Sequence, residues 1–400
     1  MAINDVQAYT HLTDQQIREI GERLDALRTE IEESLGSEDS RYIRRLVAVQ
    51  RGLAAGGRVA LFASKYPPAW IAGTLMLGLA KILENIEIGH NVMHGQWDWM
   101  NDPEIHSSTW EWDTMCPAEQ WKHLHNYEHH TFTNVLGKDR DVGYGILRVT
   151  RDQPWYPLAI AQPLYNILLM VFFEWGVGVH DLDLERIRKL QKDPEVLKTQ
   201  LKQIGRKMRR QVGKDYLIFP ALTGPFFFHT LAANAVANII RNLWAYGVIF
   251  VNHFPDGVEH FTEEELENET PHEWYLRQML GSANFTGPQW MHLLSGYLSH
   301  QIEHHLYPDL PSRRYPQIAK VVRPLTEKYA LPYNSAPWWK QYSQVFRTIL
   351  KLSLPDRTRR TGGDDPDDGA RRRTTAEPEP PRAPQTAAAE GTTTESDSAA

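Results

Sequence analysis

The chain has 400 residues and a formal net charge of −7, and its 43 basic and 50 acidic residues are spread along the whole length. No basic domain stands out, so nucleic acid is not an expected partner. The single cysteine, Cys116, excludes an intramolecular disulfide and a metal site built from several thiolates.

The first segment with a clear pattern is polar and predicts a helix. Between residues 12 and 50 apolar side chains recur mostly every three or four positions, and Thr13 and Asp14 offer an N-cap. Two interpretations stay open. The segment is either an amphipathic helix on a membrane surface or against the body of the protein, or an ordinary solvent-facing helix.

Two apolar stretches follow, and together they predict a first membrane hairpin. Residues 67–88 have the roughly 20 positions that cross a bilayer, with Lys81 and Glu87 in the second half. Ionisable groups inside a span are costly and mark functional sites, so we expect both to face a protein interior. Residues 50–65 supply the preceding span, which is the weaker prediction because it contains Arg58.

Histidines then form two clusters with helical spacing. His90 and His94 stand four residues apart, so on a helix they share one face and can share a metal. His125 and His129 repeat this spacing, and His130 adds a third ligand about a quarter-turn away. The first pair alone is weak, because chance pairs are expected among 17 histidines.

The second half of the chain contains further apolar sequence. Residues 155–179 are apolar, residues 181–214 are strongly charged, and residues 216–251 are apolar and long enough for two short spans. If 155–179 crossed the membrane, the basic loop at 181–214 would lie outside, against the positive-inside rule. We therefore predict an interfacial or re-entrant segment at 155–179 and a second hairpin at 216–251.

A third histidine cluster follows this hairpin. His300 and His304 are again four residues apart, and His305 follows directly. The three clusters must meet to hold metal, so they lie on one membrane face with an even number of spans between them. The predicted fold is an all-α integral membrane protein with about four transmembrane helices in two hairpins.

The end of the chain, residues 356–400, is rich in Pro, Gly, Thr, Ala and charge. It lacks the apolar residues that would form a core. We therefore divide the chain into a polar N-terminal amphipathic helix region (1–45), a main domain (46–355) and a disordered tail (356–400).

The number of histidines restricts the metal. Imidazole binds zinc, copper, iron and nickel, but catalytic zinc takes only three protein ligands. The zinc-protease motif HExxH is missing, because Asn91 stands where its glutamate would be. Seven or more imidazoles suit two octahedral or near-octahedral irons that keep open positions for O2. Glu87, Glu128 and Glu303 are candidates to orient the imidazole N–H groups.

The order HxxxH, HxxxHH and QxxHH resembles the three histidine boxes of the membrane fatty-acid desaturase family. The run QIEHHLYP at residues 301–308 is similar to the QIEHHL(F/Y)P signature of its acyl-lipid and front-end branches. The longer runs ENIEIGHNVMHGQWDWMNDPEIH and VGYGILRVTRDQ resemble the actinobacterial, mycobacterial-type stearoyl-CoA branch. The resemblance covers roughly residues 40–355.

This resemblance implies a fold and a ligand set. The family has a four-span helical domain with a cytosolic helical cap that holds two irons. We expect this chain in the cell inner membrane, with its metal centre facing the cytoplasm. Gln301 stands where some branches have a histidine ligand, relatives supply an extra ligand near His253, and His300 is either a ligand or a donor to one. The expected metal ligands are His90, His94, His125, His129, His130, His253, His300, His304 and His305.

The resemblance also implies a reaction and its partners. Two hydrogens are removed from a fatty acyl-CoA, at Δ9 of a saturated C16–C18 chain, with O2 and two electrons. The chain has no HPGG haem motif of a fused cytochrome b5. A separate NADPH-dependent reductase, with or without a ferredoxin-like carrier, is therefore an expected partner. Membrane lipid is a further expected partner.

Aromatic residues of 97–121 are candidate walls of an acyl channel. Lys138, Arg140, Arg148 and Arg151 are candidate contacts to a CoA phosphate. Two other functions stay open. A hydroxylase or ketolase of the same superfamily would share the ligand spacing. A non-catalytic membrane metal carrier or receptor would need ionisable residues within its spans, whereas the boxes flank them.

Overall fold

The computed structural model describes residue 6 and residues 8–355, so the tail predicted at 356–400 lies outside the described residues. Helices dominate the described part. They are α1 (Asp14–Glu33), α2 (Ser37–Ala60), α3 (Pro67–Ile82), α4 (Asn91–Met93), α5 (Ala118–Trp121), α6 (Gln162–Val171), α7 (Phe173–His180), α8 (Leu184–Arg188), α9 (Pro194–Val212), α10 (Phe219–Leu222), α11 (Phe227–His253), α12 (Pro271–Leu280), α13 (Gln289–Leu294), α14 (Gln301–Leu306), α15 (Tyr315–Lys328) and α16 (Trp338–Leu352).

Short segments of other geometry complete the chain. Three π-helical segments, Leu83–His90, Lys122–His129 and Gly213–Ile218, continue α3, α5 and α9. Strands β1 (Asn284–Thr286) and β2 (Ser335–Pro337) pair in parallel. The first two π-helical segments carry histidines of the boxes, in keeping with the frequent occurrence of π-bulges at functional sites.

The helix predicted over residues 12–50 is two helices. The N-cap at Thr13 is confirmed, since its side chain accepts from the Gln16 N–H while Gln16 Oε1 accepts from the Thr13 N–H. The break falls at Gly36, which caps α2 with an extended backbone and donates its N–H to the Asp39 carboxylate (3.1 Å). The predicted boundary at residue 45 therefore falls inside α2.

The helical cap consists of α1, α12, α14 and α15. The apolar face of α1, including Ile20 and Leu24, packs into a core shared with Leu276, Ile302 and Ile318. The predicted amphipathic helix thus lies against the body of the protein, because its apolar face is buried there.

The described residues contain fewer candidate membrane spans than the four predicted, by length and composition. Among the described residues, one helix, Ser37–Ala63, is long and apolar enough to cross a membrane. Residues 157–171 and 173–180 pass the same test only together, and a bend of 103° separates them. Such a bend belongs to a broken span or a re-entrant loop, in agreement with the segment predicted at 155–179. The four-span arrangement stays a prediction.

The hairpin predicted within residues 216–251 is wrong in detail. The first part of this run completes the helix that begins with α9 and ends with α10, and α11 then forms one helix of 27 residues. The turn falls at Gly224, whose φ of +55° suits glycine. The hairpin arms are therefore the α9–α10 helix and α11, rather than two halves of the apolar run.

The ionisable residues of the α3 segment face the interior, as predicted. Lys81 is 7% exposed, and its Nζ lies 2.7 Å from Oδ2 of the fully buried Asp215. Arg58 on α2 reaches the other carboxylate oxygen at 2.9 Å. Glu87 is also fully buried and accepts a hydrogen bond from the Ser312 hydroxyl (3.1 Å). Opposite charges and hydrogen bonds compensate the burial of these groups.

A candidate metal centre

The three boxes meet where the π-helical continuation of α3 and the end of α11 contact α14. The ring centroids of His90 and His304 are 5.1 Å apart, and those of His253 and His305 are also 5.1 Å apart. The π-helical segment after α5 brings the second box to the same place, with the His130 and His305 rings stacked at 4.4 Å. Non-local packing, not the spacing within any one box, therefore assembles the site.

The imidazole nitrogens fall into two groups suited to two metal ions. One group contains His90, His94, His125 and His304, and the other contains His129, His253 and His305; within each group the ligand atoms lie within 4.8 Å of one another. His130 joins the groups, because its ligand atom also lies within 4.8 Å of those of His125 and His129.

Unpaired nitrogens show that these residues fit a metal. Among the histidines of the two groups and His130, the buried ring nitrogens without a hydrogen-bond partner are His94 Nε2, His125 Nε2, His129 Nε2, both nitrogens of His130, His253 Nδ1 and His305 Nε2. A buried polar atom without a partner costs about 1–3 kcal/mol. So many in one place fit a metal site, where bound ions would take the free lone pairs.

The opposite ring nitrogens are held by hydrogen bonds. His129 Nδ1 lies 2.9 Å from Asp139 Oδ2, and His125 Nδ1 lies 3.4 Å from Asp141 Oδ2. His304 Nδ1 likewise lies 3.0 Å from the Tyr315 hydroxyl. When Nδ1–H donates to these oxygens, Nε2 is left as the ligand atom, an arrangement that orients metal-bound histidines in many proteins.

The carboxylates in this role are not those expected from the sequence. Glu87 accepts from Ser312, and Glu303 accepts from Tyr333 at 2.8 Å. Glu128 pairs with Arg140 at 2.5 Å, and among the described residues the histidine that it contacts is the exposed His123 at 3.5 Å. The prediction of Glu87, Glu128 and Glu303 as partners of the ligands is therefore wrong.

The sequence did not predict Asp139 and Asp141 as partners of the ligands, because they share no helical register with the second box. A turn folds Asp139 back toward the box, and its carboxylate accepts the Asn134 N–H at 2.8 Å. The Asp-x-Asp pattern ten residues after His129 is the one signal in the sequence. Asp141 also accepts from His180 (3.2 Å), so it ties the bent α6–α7 segment to the centre.

The structure distinguishes His253 from His300, the two histidines whose role as metal ligands the sequence left undecided. His253 Nε2 lies 3.1 Å from the Gln301 side-chain amide, and its Nδ1 is free within the second group. His300 lies outside both groups, with Nδ1 3.1 Å from Ser299 Oγ and its ring beside His292. Eight of the nine predicted ligands therefore come together, and His300 does not.

Burial keeps most of these imidazoles neutral, as metal ligation requires. Desolvation holds the pKa of His130, His304 and His305 well below the usual 6.5, and neighbouring imidazoles add to the effect. His129 differs. Burial acts to lower its pKa, but the Asp139 and Asp141 carboxylates together outweigh burial, and the pKa is raised. Asp139 thus favours positive charge at the second group.

A mostly apolar cavity lies against the cluster. Its lining includes Trp112, Trp121, Tyr144 and Phe173 together with His90, His125, His129 and His253. Trp112 and Trp121 come from the 97–121 stretch that was expected to supply walls. The Trp121 ring stacks on His125 at 4.4 Å, so the wall and the metal ligands are in direct contact.

The basic residues expected to hold a CoA phosphate are partly occupied elsewhere. Arg148 is 1% exposed and donates to the Gln153 carbonyl at 2.7 Å, so its prediction as a surface phosphate contact is wrong. Arg140 pairs with Glu128 and Asp183. The roles predicted for Lys138 and Arg151 stay predictions.

Comparison with known proteins now identifies the family. The fatty acid desaturase family profile matches residues 66–337, the part of the chain that contains all three boxes. The chain belongs to the fatty acid desaturase family. This desaturase is therefore an oxidoreductase, and its boxes and their order agree with the resemblance seen in the sequence.

The relatives of the desaturase include proteins of bacteria and animals. The "NADPH-dependent stearoyl-CoA 9-desaturase" of Mycobacterium tuberculosis is 52% identical over 364 residues, which cover 90% of this chain and 85% of the relative. The "sn-1 linoleoyl-lipid 6-desaturase" of Synechocystis is 24% identical over 81% of this chain and 91% of its own length. The "Fatty acid desaturase 2-like protein FADS2B" of Mus musculus is 25% identical over 58% of this chain and 46% of its own.

Proposed function

We propose that this desaturase introduces a cis double bond at Δ9 of a saturated C16–C18 fatty acyl-CoA. The observation that carries this proposal is the pair of imidazole groups beside an apolar cavity. The mycobacterial relative, named for action on stearoyl-CoA, supports the substrate because it covers 90% of this chain at 52% identity.

The two groups would hold two iron ions. His90, His94, His125 and His304 would hold one, and His129, His253 and His305 the other, with His130 between them. Bound iron would supply the activation of O2 and the oxidising power for removing two hydrogens from the acyl chain. The all-imidazole donor set, too large for one zinc, favours iron.

The residues of the chain position the reaction and keep water out. Asp139, Asp141 and Tyr315 fix the ring orientations of three ligands through Nδ1. Trp112 and Trp121 form a dry wall directly beside the ligand rings. A saturated chain offers no polar group near its middle, so shape and apolar contact must place the methylene groups that react.

The electron donor would be a separate NADPH-dependent reductase, with or without a ferredoxin-like carrier. Support comes from the mycobacterial relative, whose name includes NADPH dependence. The electrons have to reach ligands that are themselves buried, such as His129 at 2% exposure. The donor would therefore dock on the cap or the loops over the centre.

We also propose that the protein lies in the cell inner membrane with four spans and its metal centre on the cytoplasmic face. Large apolar side chains point outward on α3, α6 and α11, for example Leu75 at 51%, Leu164 at 65% and Phe228 at 77% exposure. Exposed apolar surface of this extent is costly in water and suits lipid.

Expression in a desaturase-deficient host tests the function. The chain should yield a cis-Δ9 monounsaturated acid, and His129→Ala should abolish it. His123→Ala is the matched control, because this exposed histidine lies in the same helix but outside the ligand groups. A hydroxylated product, which gains oxygen instead of losing two hydrogens, would replace the desaturase proposal with the hydroxylase alternative.

A further inference from the structure

A second concave surface lies outside the cavity at the histidines. This groove, with a volume of about 590 Å³, runs between α2, α3 and α13. It shares no lining residue with the cavity beside the metal centre. Its floor is apolar and consists of Leu46, Val49, Leu53, Leu79, Leu83, Leu293 and Leu294. Its polar rim consists of Glu38, Arg41, Tyr42, Arg45 and Arg313.

Part of the floor is exposed, although Leu46 and Leu83 are buried beneath it. Val49 is 54% exposed and Leu79 is 37% exposed, although both belong to helices of the apolar bundle. Apolar surface exposed to water is unfavourable, so an apolar ligand gains free energy by covering the exposed part of this floor. Since α2 belongs to the one described helix that is itself long and apolar enough to span a membrane, acyl chains are the nearest such ligand.

The rim carries positive charge that the protein leaves largely uncompensated. Arg45 is exposed and has no ion-pair or hydrogen-bond partner among the residues that the structure describes. Arg41 donates to the uncharged carbonyl of Ser37 at 3.1 Å. Three arginines face one carboxylate, Glu38, among the residues of the rim.

The third arginine is only partly neutralised. Arg313 lies 3.5 Å from Asp39, but Arg314 takes the same carboxylate at 2.7 Å. The Arg313 guanidinium also stacks over the Tyr42 ring at 5.4 Å, which keeps it beside the groove. Guanidinium groups match phosphate geometry and are the preferred side chains for binding it.

The charges and the floor are aligned along one helix. Arg41 and Arg45 are one turn apart on the same face of α2. The floor continues on this helix to Leu53, about 12 Å beyond Arg45 at 1.5 Å per residue. The groove is therefore basic at one end and apolar along its length, which is the complement of a molecule with an anionic head and an alkyl tail.

We propose that this groove binds an anionic glycerophospholipid of the surrounding membrane. The phosphate would lie among Arg41, Arg45 and Arg313, and one acyl chain would cover the leucine floor. The lipid site is separate from the substrate cavity and does not depend on the reaction catalysed. Its occupant is a structural lipid that stabilises the contact between α2, α3 and α13.

Lipid binding to the purified full-length protein in neutral detergent tests the proposal. Native mass spectrometry would compare phosphatidylglycerol with phosphatidylcholine of the same acyl chains. The wild type should prefer phosphatidylglycerol, and Arg41→Gln with Arg45→Gln should weaken it about tenfold or more, the loss expected for one charge-assisted hydrogen bond. Both positions are exposed, so the double variant should fold.

Matched variants separate the groove from general charge. Arg51→Gln removes an exposed arginine of α2 that does not line the groove, and it should leave lipid binding unchanged. Val49→Trp should fill the floor and reduce binding without removing charge. Equal binding of the two lipids, an unchanged double variant, an equal loss in Arg51→Gln, or displacement of phosphatidylglycerol by stearoyl-CoA would each overturn the proposal.

Discussion

Asp139 offers the sharpest test of how the protein holds its metals. Its carboxylate lies 2.9 Å from His129 Nδ1 and also accepts the Asn134 and Asp141 N–H groups, at 2.8 and 2.9 Å. Both partners of the first contact are buried, with side-chain exposures of 2% for His129 and 0% for Asp139. The Asp139→Asn variant keeps the size of the side chain and removes its charge.

The expected loss follows from these contacts. A buried hydrogen bond to a charged group contributes about 1.5–3 kcal/mol, and loss of such a partner of a ligand lowers metal affinity by about 10–100-fold. The same effect is expected here, because Asp139 favours the ring orientation that leaves Nε2 free. Only the group that contains His129 should weaken, so one metal should leave before the other.

Metal titration of the stripped protein measures this effect without requiring turnover. Iron(II) or cobalt(II) would be added back to the chelator-treated enzyme, and bound metal would be counted by mass spectrometry after desalting. Asp152→Asn is the matched control, since this exposed carboxylate accepts a local hydrogen bond from the Thr150 hydroxyl at 2.7 Å and lies outside the ligand groups. Two metals retained with wild-type affinity in Asp139→Asn, with the fold intact, would refute the reasoning.

Three further predictions follow from the packing. His253→Ala should lower the metal content to about one ion per chain, whereas His300→Ala should retain both ions. Metal analysis of the two purified variants compares them. An equal loss of metal in both variants would contradict the assigned groups. Asp215→Leu should lower the free energy of unfolding by about 3–5 kcal/mol, because it leaves Lys81 buried without its partner. The loss would be measured as a lower Tm, and adding Lys81→Met should restore part of it. Thr13→Ala should cost about 1 kcal/mol through loss of the α1 cap, and an unchanged Tm would show that α1 contributes nothing to the stability of the cap.

Features that depend on residues close together in the sequence, such as helix faces and helix starts, could be predicted from local patterns. The four-residue spacing of His90 and His94 placed both on one side of a helical segment, and the Thr13 cap marked where α1 begins. The three histidine boxes were also predicted to lie close together in space, because a shared metal centre requires it. Family resemblance then supplied His253, which stands alone in the sequence and has no helical partner among the boxes.

Features that depend on tertiary packing were not predictable in this way. Asp139 reaches His129 through a turn, and no periodicity connects the two residues. The apolar run 216–251 indicated two spans by length alone, but the turn at Gly224 divides it close to one end. Composition identified the apolar segments, while their bends and partners depend on contacts such as the one between Lys81 and Asp215.

The most direct test of the central proposal is the mass of the product. The purified, iron-loaded protein would be incubated with stearoyl-CoA, O2, NADPH and a competent reductase, and the acyl chain would be analysed by mass spectrometry. We expect a chain that has lost two hydrogens, with a cis double bond at Δ9. A chain that has gained an oxygen atom, or an unchanged chain despite full iron loading, would contradict the proposed function.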